Sequence, residues 1–159
     1  MYSVEFRSYE EADVPYLPGL FTRAIQTVYP ELEEGPWLED LYHPETAYNN
    51  GGDILVGIHS DVIVAMGGIK RINDETGELK RVATEPQMQG QGLGGRLLTA
   101  MEERACALGI RKLVLDTTLG QVGARRLYDK RGYELADRHI VTHPTGKQFD
   151  TFFYAKVLS

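Results

Sequence analysis

"EPQMQGQGLGGRLL", Glu85 to Leu98, contains two overlapping spellings of a phosphate loop. Counted from Gly90, the glycines at 90, 92 and 95 form G-x-G-x-x-G, the pattern that seats a dinucleotide pyrophosphate at a helix start. Counted from Gln89, the same letters form Q-x-x-G-x-G. Both spellings share one physical basis. Glycines at a helix start let consecutive backbone N–H groups close on a phosphate with no side chain in the way. The helix N-terminus adds partial positive charge, and Arg96 lies in the first turn. The candidate phosphate ligands are therefore the amides of Gln89, Gly90, Gln91, Gly92, Leu93 and Gly94, extending to Gly95, with Arg96 beside them. A turn that merely needs positive φ does not need four glycines in the six residues from Gly90 to Gly95.

Outward from this stretch the chain reads as alternating elements. "ELKRVAT" (78–84) is a strand ending before Pro86, and "RLLTAMEERACAL" (96–108) is a helix with Leu97, Leu98, Met101, Ala105 and Leu108 on one face. Gly109 stops that helix. "KLVLDTT" (112–118) is an almost unbroken apolar strand, expected to be covered on both faces. "QVGARRLYDKRG" is a second helix, and "YELADRH" and "FDTFFYAKVL" are closing strands. Upstream, "DILVGIHS" and "DVIVAMGGIKRI" form a hairpin around Ser60-Asp61, and "DETG" marks the next turn. "YSVEFRSY" alternates as a first strand, and "EEADVPYLPGLFTRAIQTVY" carries Leu17, Leu20, Phe21, Ala24, Ile25 and Val28 at helical spacing. "PELEEGPWLEDLYHPETAYNNGG" is acidic, aromatic and broken by prolines, and predicts short helical pieces and loops. The order β-α-α-β-β-β-α-β-α-β-β describes one α/β domain.

The dinucleotide reading has Asp116 in its favour, an acid at the end of the strand after the helix, about where a ribose-binding carboxylate is expected. Against it, "EPQMQ" separates the strand from the first glycine. Only residues 117 to 159 would remain for further parallel strands and a substrate domain. A Walker-type loop fails because no Lys-Ser/Thr follows the glycines.

The second spelling uses more of the chain. Glu78, Pro86 and Gln89-x-x-Gly92-x-Gly94 before a helix resemble the cofactor segment of the GCN5-related N-acetyltransferases, which bind acetyl-coenzyme A. Downstream, "ARRLYDKRGYE" is similar to that family's A-x-x-L-Y-x-K-x-G-[FY], here Ala124, Leu127, Tyr128, Lys130, Gly132 and Tyr133. The resemblance implies a single-domain fold with a mixed central sheet of about six or seven strands flanked by helices. It covers Asp53 to Leu158 closely. Residues 1–52 match only in outline and are the expected acceptor-side segment; residues 53–159 are the expected cofactor-binding core.

What the resemblance implies for chemistry is acetyl transfer from acetyl-coenzyme A to a primary amine by direct attack in a ternary complex. An ammonium has no lone pair, so a carboxylate that takes its proton, directly or through water, is useful, and Glu78 is the candidate. A departing thiolate needs a proton. A phenol has a pKa close to that of an alkyl thiol, which suits Tyr128 as the acid. Backbone N–H groups of Val82, Ala83 and Thr84 are expected to polarise the thioester and pair with the pantetheine arm. Ala124 and Tyr128 are expected against the cofactor. Gln121 stands where the family commonly has asparagine, so its amide reaches one methylene further. Alternatives remain: an idle acyl-coenzyme A binder, an acyltransferase with a longer acyl group or an oxygen acceptor, and a small nucleotide-dependent oxidoreductase.

The rest of the sequence sets bounds. A net charge of −6 and no basic stripe argue against a nucleic-acid partner. No apolar run is long enough for a membrane helix, and the first residues lack the apolar region of a secretion signal. With one cysteine, Cys106, no internal disulfide forms, and a cytoplasmic protein is expected. Cys106 is expected to be buried among Ala105 and Ala107. His43, His59, His139 and His143 do not share ligand spacing, so no metal site is expected. In the acidic segment, Glu31, Glu33, Glu34, Glu39 and Asp40, with Tyr29, Trp37 and Tyr42, are either a wall that receives a cationic amine or a solvated loop. Edge strands near the C-terminus suit a homodimer.

Overall fold

The two apolar runs around Ser60-Asp61 form the expected hairpin in the computed structural model, which describes residues 2–159. Strand β2 (Asp53–His59) pairs antiparallel with β3 (Val62–Arg71). Ser60 and Asp61 have φ of 48° and 64°, the double positive turn that a two-residue hairpin favours. Strand β1 (Glu5–Ser8) flanks β2, and β4 (Thr76–Thr84) flanks β3, beginning two residues before the expected Glu78. Strands β5 (Lys112–Thr118), β6 (Glu134–Thr142) and β7 (Gln148–Val157) complete a seven-stranded sheet of order β1-β2-β3-β4-β5-β7-β6. Its one parallel pair is β4 with β5.

Helix α1 (Leu17–Gln26), preceded by a 3-10 segment that holds Pro15, packs on one face with the short helices α2 (Glu39–Tyr42) and α3 (Pro44–Ala47). Leu17, Leu20, Leu38 and Leu41 meet Ile54, Val56 and Met66 there. Helices α4 (Leu93–Ala107) and α5 (Val122–Lys130) cover the other face, where Leu97, Leu98 and Met101 meet Ile69, Leu79 and Leu113. A Cβ at Gly67 would lie 2.3 Å from the Met101 sulfur, so a bare backbone lets α4 sit down on β3.

Three expectations need correction. Strand β5 is not covered on both faces: Leu113, Leu115 and Thr117 are buried, while Asp116 opens to solvent. The sheet divides beside it, so that face borders an opening. Cys106 is exposed, because Ala105, Met101 and Leu98 take the core-facing positions of α4. Helix α4 starts at Leu93 rather than Arg96, so Gly94 and Gly95 are helical.

Candidate active site

The parallel pairing of β4 and β5 stops at Glu78 opposite Val114, after three registered residues. Beyond that point β5 pairs only with β7, and the β4 edge from Leu79 to Thr84 has no strand beside it. Its backbone groups face a gap in the middle of the sheet. On its other edge, Met66 faces Ala83 and Gly68 faces Lys80, so Arg81 and Val82 together oppose the single Gly67. This is a β-bulge, and Arg81 has φ of 57°. Val82, Ala83 and Thr84 thus lie at the gap.

At the end of β4 a 3-10 turn, Pro86–Met88, leads into the glycine-rich loop. Glu85 is held at the junction by Arg23 of α1 through two bonds of 2.9 Å. Gly90 and Gly92 have φ of 78° and 80°, and a Cβ at either would meet nothing within 4 Å. Among the described residues, no N–H from Gly90 to Gly95 donates to a protein acceptor; the first bond of the series is Arg96 N–H to the Gly92 carbonyl, 3.2 Å. A run of free donors on an open backbone at a helix start fits a pyrophosphate. The Arg96 guanidinium points elsewhere, donating to the carbonyls of Tyr2 and Val4 at 3.0 Å each.

The second motif packs on the first. A Cβ on Gly94 would come 3.3 Å from Leu127 of α5. Ala124 and Leu127 pack against the core, and Tyr128 follows, 5% exposed. Its ring meets Tyr133 edge-on at 5.6 Å and Tyr154 at 6.2 Å. Tyr133 is itself fixed, donating to Glu102 at 2.7 Å. Burial, and then the Asp116 charge, push the Tyr128 phenol well above its ordinary pKa, so it holds its proton but is a weaker acid than the free phenol whose pKa matches an alkyl thiol. Gln121 stands at the N-cap position of α5, but its side chain turns back to β5: its Oε1 accepts from the Thr118 N–H and hydroxyl, both at 2.9 Å. Thr118 also bonds the Tyr29 hydroxyl at 2.5 Å.

Glu78 and Asp116 stand on the same face of the sheet, that of α1 and α2, at the start of the gap. Burial raises the Glu78 carboxyl above its ordinary value; Lys80 opposes this and Asp116 adds to it. Asp116 keeps access to solvent on one side but is crowded on the others, and burial raises it too, against Lys80 and Arg81. A carboxylate that binds its proton more tightly than usual is a stronger base at neutral pH. From the sequence, Asp116 is expected only as a ribose ligand. Its place here was signalled solely by an acid inside an apolar strand.

Three acids of the acidic segment have partners, two of them outside it. Asp40 takes two bonds from Arg81, Glu31 pairs with Lys147, and Glu34 accepts from Tyr42 at 2.6 Å. Its aromatic residues instead tie it to the β6–β7 hairpin: Trp37 meets His143 at 4.7 Å and Tyr29 meets Phe149 at 4.8 Å. Among the described residues, no group of three His, Cys, Asp or Glu side chains is placed to hold a metal. No helix among them is long and apolar enough to cross a membrane.

The sequence profile of the acetyltransferase (GNAT) family matches residues 21–133. The chain belongs to that family. Among curated relatives of this GNAT chain is the IAA acetyltransferase of Azospirillum brasilense, 38% identical over 86 residues, or 53% of this chain and 54% of that protein. Another is the mycothiol acetyltransferase of Brachybacterium faecium, 30% identical over 97 residues, 58% of this chain and 29% of that protein. The chain thus spans about half or less of the length of these two relatives. Solved structures extend the likeness to the whole fold. A GNAT acetyltransferase from Staphylococcus aureus superposes with a TM-score of 0.85 at 19% identity, covering 99% of this chain and all of that one. An acetyltransferase from Salmonella typhimurium, solved with its cofactor acetyl-CoA, gives 0.78 at 20% identity, covering 99% and 95%. The sheet, antiparallel except for β4 and β5, is not the parallel sheet of a dinucleotide-binding domain.

Proposed function

We propose that this GNAT protein is an acetyl-coenzyme A-dependent N-acetyltransferase, acting in the cytoplasm on a primary amine that attacks directly in a ternary complex. The observation that carries the reading is the alignment of free donors along one path. The N–H groups of Gly90 to Gly95 sit at the start of α4, and the unpaired edge of β4 continues from them to Glu78. Acetyl-coenzyme A, when bound, supplies an acyl group activated as a thioester. The loop amides hold its pyrophosphate. The β4 edge around Val82, Ala83 and Thr84 takes the pantetheine arm as a further strand and places donors on the thioester carbonyl. Tyr128, which holds its proton, gives it to the leaving sulfur. Glu78 takes the proton of the incoming ammonium, directly or through water, with Asp116 close enough to share that charge.

A panel of polyamines, amino acids, aminoglycosides and peptides with free N-termini, followed by thiol release, tests the reading and identifies the acceptor. Intersecting initial-rate lines are expected for the ternary complex; parallel lines would indicate a covalent enzyme intermediate and overturn direct attack. A second copy pairing along edge strand β6 is part of the same reading, supported by the exposure of the whole strand, including Leu135 and Ile140. Sedimentation equilibrium checks it, with twice the chain mass expected.

A further inference from the structure

Arg81 has a backbone conformation that its own strand does not explain. Among the described residues three non-glycines have positive φ, and the other two, Ser60 and Asp61, are the hairpin turn. Arg81 lies inside β4, where a side chain in the left-handed region is disfavoured. Such backbone persists only where its surroundings over-determine it.

Here the surroundings are a clamp of residues distant in sequence. Arg81 Nε and Nη2 bond the two oxygens of Asp40 at 3.0 and 2.9 Å, a fork-to-fork pair, and Nη2 also donates to the Trp37 carbonyl at 3.2 Å. The guanidinium carbon lies 5.1 Å from the Phe21 ring and 5.3 Å from that of Trp37. Asp40 is anchored in turn by the Tyr48 hydroxyl at 2.6 Å. Tyr48 is fully buried, with its ring against Gly68, where a Cβ would come within 2.6 Å. Gly68 follows Gly67, the residue opposite the bulge. The clamp therefore closes on itself, from bulge to α2 to Tyr48 and back to the strand that faces the bulge.

We propose that Arg81 is a positioning residue: gripped by Asp40, Phe21 and Trp37, its side chain holds the β4 bulge in the left-handed conformation that aims backbone donors at the thioester carbonyl. The acceptor-side segment and the polarising backbone then form one unit, so a change at Asp40 is felt at the acyl group. The proposal rests on the acetyl-coenzyme A reading.

The test is the infrared stretch of acetyl-coenzyme A, isotope-labelled at the thioester carbonyl, bound to the full chain and to Arg81→Ala, Arg81→Gly and Asp40→Asn. Wild type is expected to shift the band to lower frequency than in water. Arg81→Ala and Asp40→Asn should return it toward the solution position, with free coenzyme A affinity changed by less than about threefold. Arg81→Gly, which adopts positive φ without strain, should keep most of the shift. It also preserves the test if Arg81→Ala does not fold. A full shift in Arg81→Ala, or its equal loss in Arg81→Gly and Arg81→Ala, would overturn the proposal. Wild type that binds acetyl-coenzyme A with an unshifted band would overturn this proposal alone. Wild type that binds neither coenzyme A species would overturn the functional reading and the proposal together.

Discussion

Gly94 at the start of α4 lies against Leu127 of α5, close enough that a Cβ on the glycine would come 3.3 Å from the leucine methyl. The contact joins two motifs separated by 33 residues and sets the loop beside the turn that carries Tyr128. Gly92, by contrast, meets nothing within 4 Å on the protein, and within the fold it is its φ of 80° that calls for glycine. The two glycines should respond differently to substitution. Gly94→Val pushes α4 away from α5 and is expected to weaken acetyl-coenzyme A binding by about tenfold or more, ~1.4 kcal/mol. Gly92→Ala is expected to cost about 1–2 kcal/mol of stability through backbone strain. Calorimetric titration and denaturant unfolding measure the two.

Tyr128→Phe should leave acetyl-coenzyme A affinity nearly unchanged, since the ring packing on Tyr133 and Tyr154 survives. It is expected to lower kcat by tenfold or more, on the order of general-acid catalysis. Unchanged turnover with an amine acceptor would remove Tyr128 from the acid role.

The rate should fall in acid with a midpoint above the ordinary glutamate value of about 4.3. A base works deprotonated, and burial raises the Glu78 pKa. Glu78→Gln should abolish this limb along with most of the turnover. If the limb survives at the same position, the titration belongs to Asp116, and Asp116→Asn would then remove it.

The pKa shift has the opposite sign at two other acids, and stability follows from it. At Asp40, burial raises the carboxyl, but the Arg81 bonds outweigh it and leave the pKa below its ordinary value; Arg7 does the same at Asp13. A lowered folded pKa means the unfolded chain binds these protons more tightly. The stability they contribute is complete above about pH 5 and is lost as pH falls through the lowered values. Urea midpoints measured across that range should drop, and less steeply in Asp40→Asn.

Much of this arrangement was legible because its signals are local. Ser60-Asp61 between two apolar runs is a hairpin by turn chemistry alone, and "KLVLDTT" gives the bounds of β5 to the residue. The motifs around Gly92 and Tyr128 each carry their own helix start. What escaped depends on distant partners. "ELKRVAT" alternates like any strand, and nothing in it marks the bulge, because Asp40, Trp37 and Phe21 that hold Arg81 lie some 40 to 60 residues away. The open side of Asp116 is hidden from the sequence for a similar reason. Its strand looks buried on both faces because the parting of β4 and β5, which opens one face, follows from how the two strands diverge. Gln121 kept its position, but its amide oxygen bonds back to Thr118, a contact that spacing does not reveal.

Thermal unfolding of the purified chain with acetyl-coenzyme A, coenzyme A, NAD and NADP tests the central claim most directly. At about 100 times its dissociation constant a ligand adds ~2.7 kcal/mol of stability. The glycine loop and β4 edge predict a clear rise in Tm with both coenzyme A species and none with the nicotinamide nucleotides. A rise with NAD or NADP alone would contradict the account and return the loop to the dinucleotide reading of its glycines.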